Sequence, residues 1–195
     1  MAISYSDLLY AAINNALRGT AALQNPAVDA IGIADTLFPV VSQSVSEAAA
    51  ANEYKRSLLR REKSVTLVAG SATLDDDVLT HYIADATLID PTSSTTLLKH
   101  YAWRDYPDFI RRGDRRIGIF TLKGGTLLQV IDPNVGFTVP LTTTGTYSLT
   151  IPCVVIKPAT AATNVDCPDE IASDLVEALA EALRGVAAKQ AGEAA

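Results

Sequence analysis

The stretch YKRSLLRREKSVTLVAGSATL, residues 54–74, decides how this chain is divided. Ahead of it and into it, Leu37, Val41, Val45, Ala48, Tyr54 and Leu58 recur at spacings near three and four, the period of one helix face. From Ser64 onward the period falls to two, and Gly70-Ser71 sits where a hairpin would turn. These spacings predict a long helix over residues 36–62, capped by Asp35, with Pro39 in the first turn where its missing N–H does least harm. At ~1.5 Å per residue that helix would span ~40 Å. Its middle, SEAAAAN, offers small side chains for close helix packing, and its basic end suits the negative pole of the helix dipole.

Working outward, SYSDLLYAAINNALRG (residues 4–19) predicts a first helix, with Ser4 or Ser6 as cap, Asp7 near the positive end and Gly19 as stop. Leu9, Ile13 and Leu17, with Ala12 and Ala16, form its apolar face. At the other end, VDCPDEIASDLVEALAEALRG (residues 165–185) has an unusually legible helix start: Asp166 or Cys167 as cap, Pro168 in the first position, then Asp169 and Glu170. Ile171, Leu175, Leu179 and Leu183, with Ala178 and Ala182, make its stripe, and Gly185 is the expected stop. Between the helices, strands are expected in residues 64–74, 86–98, 115–132 and 144–158, the clearest being the hairpin with Gly124-Gly125 at its turn. LDDDVLTHYIAD (residues 74–85) reads as a short helix capped by its acids. Pro107 disfavours one helix across residues 99–114, which read as a strand and then a turn or short helix. The fold class is therefore α+β: a helical bundle of residues 1–63 with 166–195, the latter including a C-terminal tail, around a β-rich insertion of hairpins over residues 64–165.

The composition says little about chemistry. No leader and no run of ~18–20 apolar residues is visible, which implies a soluble protein with no membrane partner. Aromatic residues are only 6% of the chain, so short apolar side chains and close helix packing are expected instead of a large aromatic pocket. Two cysteines, Cys153 and Cys167, are read as free thiols, and His81 and His100 have no ligand cluster around them; no metal or cofactor is expected. KGGT at residues 123–126 lacks the spacing and the strand-to-helix context of a phosphate loop. Asp75, Asp76 and Asp77 lack the spaced oxygens of a calcium loop. No nucleophile elbow is present, and the RGD tripeptide at residues 112–114 is too short to carry an adhesion reading. The expectation is a non-enzyme.

Charge is the exception. The chain has a net charge of −6 and a pI near 4.8. Yet residues 99–123 hold seven Lys/Arg against Asp105, Asp108 and Asp114, a local +4, while the remainder carries nine basic and nineteen acidic residues, −10. Arg104, Arg111, Arg112, Arg115, Arg116 and Lys123 are the candidate interaction residues. Three roles suit them: phosphate contacts on nucleic acid, with Tyr101, Trp103, Tyr106 and Phe109 interleaved; salt bridges to an acidic neighbouring subunit; or pairing with the local aspartates.

The early helix, the long helix, the strand pair VTLVAGSATLDDDVL, the β-rich middle and CPDEIASDLVEALAEALRG together resemble the head-to-tail connector (adaptor) proteins of tailed bacteriophages. In that family a strand pair often runs into an LP-acid-acid helix start; here Leu74 is followed by Asp75 instead. The resemblance covers most of the chain as architecture. It implies a structural virion protein without catalytic activity, assembled in the host cytoplasm and sited in the neck between capsid and tail. It further implies a ring of about a dozen copies below the portal protein, closing by rotation, with a tail or nozzle protein beneath and packaged DNA in its channel. A head stopper, tail-tube or tail-completion ring is the alternative within the virion. The same resemblance assigns portal docking to Val186, Ala187, Ala188, Lys189, Gln190, Ala191, Gly192, Glu193, Ala194 and Ala195. It places the basic residues either at a subunit interface or on the channel wall.

Overall fold

The computed structural model describes residues 3–18, 29–89, 97–100, 102–105, 107, 119–130 and 144–193. The chain is α+β and divides into two compact units, Met1–Leu59 with Val154–Ala195, and Arg60–Cys153. The first boundary lies four residues before the expected one, because residues 60–63 are already strand; the second lies twelve residues before it, because residues 154–165 return to the helices.

In the helical unit, α1 (Tyr5–Leu17) begins as its sequence implies: the Ser4 hydroxyl accepts the Asp7 N–H at 3.1 Å. Leu8, Leu9, Ala12, Ile13 and Ala16 are buried. The expected helix over residues 36–62 is corrected on three counts. Helix α2 spans Ala30–Ala50 and starts at Asp29, whose carboxylate accepts the Gly32 N–H at 2.9 Å; Asp35 is not the cap. Pro39 therefore lies in the helix interior. The helix breaks at Ala51-Asn52, where the Asn52 side chain caps the short α3 (Glu53–Leu58) through the Lys55 N–H.

The buried face is also not the predicted one. Ala34, Phe38, Ser42, Ser46, Ala49 and Ala50 face inward, while Leu37, Val41 and Val45 are half-buried, and Tyr54 is 61% exposed. Two of the inward residues are serines, and their partner explains them. Val155, 2% exposed, follows β7 (Gly145–Pro152) with no strand beside it among the described residues. Its carbonyl accepts from the Ser42 hydroxyl, and its N–H donates to Ser46 Oγ at 3.1 Å. One helical turn thus satisfies both backbone groups of a buried extended residue.

Helix α4 (Asp169–Glu193) closes this unit. The Pro168 carbonyl accepts the Ala172 N–H at 2.9 Å, so the helix opens at the expected proline. Gly185 does not end it. Its buried positions are Ile171, Ala172, Leu175, Leu179, Ala180, Leu183 and Ala187. Helices α1 and α4 run parallel: Ile3 and Asp7 lie beside Asp169 and Ala172, and Arg184 farther along donates to the Asn15 carbonyl at 2.6 Å, capping the end of α1. Helix α2 meets α1 through Tyr5 against Phe38 (4.9 Å between ring centroids), and Lys55 of α3 is paired to Asp174 of α4 at 2.5 Å.

The β unit holds β1 (Arg60–Leu67), β2 (Ser71–Thr73), β3 (Thr87–Ile89), β4 (Leu97–His100), β5 (Ile119–Lys123), β6 (Thr126–Val130) and β7 (Gly145–Pro152). They form one sheet in the order β1-β7-β3-β4-β5-β6-β2, antiparallel except for β4 and β5. The end strands β1 and β2 are consecutive in the chain and joined by the two-residue turn Ala69-Gly70, with Val68 and Ser71 exchanging both backbone bonds at 2.9 and 3.2 Å. The sheet must therefore roll until its ends meet there. The hairpin expected in residues 64–74 is only this turn; its strands then leave for different partners, β7 and β6. Inside the roll, Leu67, Leu88, Phe120, Leu127, Leu149 and Ile151 are fully buried. The β5–β6 hairpin turns at Gly124-Gly125, both with φ in the left-handed region (53° and 81°), as its sequence implies.

The charges of β1 are matched across the sheet. Arg60 donates to Thr87 Oγ1 (3.2 Å), Glu62 accepts from Ser148 (2.5 Å), and Lys63 reaches Asp77 (2.6 Å). The acidic run is thus not a helix cap: Asp75 and Asp77 serve Lys63, and the 3-10 segment Thr80–Asp85 has no side-chain cap.

Replacing Ser42 and Ser46 together with alanine should lower the urea midpoint, at a cost of about 1–3 kcal/mol for each backbone group left unpaired. A rise in stability, which the better helix propensity of alanine alone would give, would show that these bonds contribute nothing. At Ala69, φ is 50°, a conformation in which a Cβ is strained by roughly 1 kcal/mol or more. Ala69→Gly should accordingly stabilise the chain, measured as an increased midpoint in the same denaturation.

Candidate interaction surface

Two titratable clusters each have a structural role. In the helical unit, Asp35 accepts from Lys157 Nζ (2.6 Å) and from the Tyr5 hydroxyl (2.9 Å), and Lys157 also lies over the Tyr5 ring. The bond from Lys157, then that from Tyr5, holds the Asp35 carboxyl below its ordinary range. Burial, with Asp35 beside it, raises the Tyr5 phenol far above its usual value. The network ties α1, α2 and the segment after β7 together.

In the β unit, Lys63 contacts Asp77 and Asp75 beside Cys153. Burial alone would lower the Lys63 pKa, but the Asp77 carboxylate outweighs it and the net shift is upward. Burial, reinforced by Asp77, pushes the Cys153 thiol up to about 11, so it is a poor nucleophile. Neither Cys153 nor Cys167 is in a disulfide. His81 is exposed, whereas His100 is half-buried, edge-on to Phe120 at 5.5 Å, its pKa lowered by burial. No group of three metal-ligating side chains occurs among the described residues, and no described helix is long and apolar enough to cross a membrane.

The basic candidates are only partly placed. Arg104 lies in a 3-10 turn with Trp103 and Asp105; its side chain is 88% exposed and only 3.7 Å from the Asp105 carboxylate. Lys123 is exposed at the end of β5, with its ammonium 4.8 Å from the Trp103 ring centroid. Lys123 therefore lies over a half-buried tryptophan, and Arg104 follows that tryptophan in the chain. Arg111, Arg112, Arg115 and Arg116, and the RGD tripeptide, lie outside the described residues.

The C-terminal candidates differ from expectation. The stretch read as a separate tail continues α4 to Glu193, and Ala187 is buried at 2% exposure. Ala188 and Lys189 are exposed; Ala194 and Ala195 lie outside the described residues.

A groove that sequence reasoning missed runs between α1 and α4, with a volume near 430 Å³. Ile3, Ala172 and Val176 give it an apolar lining, and Asp7, Asp169 and Glu177 add carboxylates. Asp7 and Asp169 have a local reason, since two parallel helices bring two positive dipole ends together. Glu177 and Glu181 do not: they sit deeper in α4, exposed and four residues apart, where like charges cost a few tenths of a kcal/mol, roughly 0.2–0.5. Neither forms an ion pair with a described residue, and Arg184, three residues beyond Glu181, is turned to the end of α1. That like-charged spacing was visible in the sequence; its place beside a groove was not.

Neither a protein-family model nor a curated protein matches the chain.

Asp35 supplies a test of the helical unit. Its folded pKa is depressed, so its contribution is present above the unfolded value of about 3.9 and is lost as the pH falls through the folded value. Asp35→Asn should destabilise the chain at neutral pH, with wild-type and variant denaturation midpoints converging in acid. A gap that stays constant through that acid range would show that the carboxylate charge is not its source.

Proposed function

We propose that this chain is a structural virion protein: a head-to-tail adaptor that forms a ring below the portal in the neck of a tailed phage, joins capsid to tail and continues the DNA channel. It works by fitting surfaces and transforms no substrate. The observation that supports the reading is the element order: α1 to α3, a rolled sheet, then a long return helix packed on both α1 and α2. The resemblance to phage connectors implies this order of elements, with α2 and α3 in place of its single long helix and a turn between β1 and β2 in place of its strand pair. Portal docking is assigned to the end of α4. Because Ala187 is packed in the bundle, the docking segment is taken to begin at Ala188, two residues later than Val186.

The test is deletion of residues 188–195, combined with microscopy of the particle. The truncated chain should keep its helical circular dichroism but fail to join portal-bound rings. Docking at the wild-type level would remove the docking assignment. A ring of about a dozen copies against the portal supports the adaptor reading. A sixfold ring or a lower position in the tail would make this a stopper or tail-completion protein, and a monomer carrying a metabolite would end both.

A further inference from the structure

We propose that the α1–α4 groove is a docking site for a basic amphipathic helix of a partner protein, with the helix's apolar side chains on the groove floor and its lysines or arginines against the rim. The site is independent of the adaptor reading: a ring can assemble whether or not this groove is filled.

Charge selects the occupant. Ile3, Ala172 and Val176 make the floor of the groove apolar, and the charges on its rim, Asp7, Asp169 and Glu177, are all negative. Glu181, exposed one turn beyond Glu177, extends the row. Neither Glu177 nor Glu181 forms an ion pair with a described residue, and Arg184, the first cation beyond them on α4, is directed to the Asn15 carbonyl. An anionic occupant would add repulsion, and a wholly apolar one would desolvate the carboxylates without pairing them. A cationic amphipathic one covers the floor and relieves the repulsion between Glu177 and Glu181. Most described cations of this chain are already engaged: Lys55 with Asp174, Lys63 with Asp77, Lys157 with Asp35 and Arg60 with Thr87. The occupant's charge is therefore assigned to a partner protein. Its form follows from the walls. Helices α1 and α4 satisfy their own backbone groups along the groove, so an extended segment would find no ladder to join, whereas a helix brings its own hydrogen bonds. From Asp169 to Glu181 the row spans about 18 Å of α4 at ~1.5 Å per residue, roughly three turns of an incoming helix. Lysines one turn apart on that helix match the spacing of Glu177 and Glu181.

A peptide titration tests this on the full-length chain. The probe is a synthetic amphipathic peptide of about fifteen residues, leucine on one face and lysine on the other, long enough to be helical when bound. Fluorescence anisotropy at about 0.15 M salt, where charges are screened beyond ~8 Å, should show saturable binding. Glu177→Gln with Glu181→Gln should weaken it about three- to tenfold, through the loss of two exposed ion pairs. Ser173→Trp, which fills the groove from an exposed position, should abolish it. Removing the same charge at exposed positions on α2 and in the β unit, with Glu47→Gln and Asp76→Asn, should leave the affinity unchanged. Circular dichroism checks that each variant is folded. Equal weakening by the Glu47 and Asp76 pair, undiminished binding to Ser173→Trp, or no saturable binding at all would each overturn the inference. So would equal affinity for a peptide of the same composition with its leucines scattered around the helix, which would show attraction to charge alone. Self-association of the wild-type chain without peptide, abolished by Ser173→Trp, would overturn it in favour of a second copy. None of these results changes where the chain sits in a particle, which microscopy reads separately.

Discussion

Val155 leaves β7 behind with no neighbouring strand among the described residues, and the hydroxyls of Ser42 and Ser46 hold its two buried backbone groups. The rest of the helical unit follows from that contact. A chain returning from a sheet has to cross apolar surroundings in extended form, and an unpaired amide there is costly. Two serines one turn apart turn α2 into a substitute strand edge. Their inward direction sets the rotation of α2, which places Ala34 and Phe38 in the core and leaves Leu37, Val41 and Val45 on the flank. Phe38 then meets Tyr5, and Tyr5 and Lys157 both reach Asp35.

The β unit meets a related constraint differently. A sheet whose end strands are consecutive in the chain has to roll, and the turn at Ala69-Gly70 accepts a left-handed alanine to make that possible. Strand β1 then brings Arg60, Glu62 and Lys63 to β3, β7 and Asp77, where each finds a partner. These residues favour helices in isolation, and pairing with β7 along eight residues outweighs that preference.

Both units leave charge on display. Carboxylates line the α1–α4 groove, whereas in the β unit Lys123 lies over Trp103 and Arg104 is exposed. The titratable clusters inside the fold are occupied with holding it together, and the Cys153 thiol is kept protonated by its burial.

The elements whose signals are local were legible from the amino-acid order alone. The Ser4 cap, the helix opened by Pro168, the Gly124-Gly125 hairpin and the α+β class each depend on a few adjacent residues, and each is present. The like-charged spacing of Glu177 and Glu181 was equally open to reading. Where distant residues compete for the same segment, only tertiary structure decided. Residues 60–63 carry helix-forming side chains but pair with β7, about ninety positions later in the chain. Ser42 and Ser46 look like surface residues until Val155 lies beside them, and Asp75 and Asp77 look like a helix cap until Lys63 claims them. Gly185 looks like a stop until α4 continues past it and buries Ala187. The common reason is that a local preference is worth tenths of a kcal/mol per residue, whereas burial or a buried unpaired group is worth about one to three, so the long-range contact prevails wherever the two disagree.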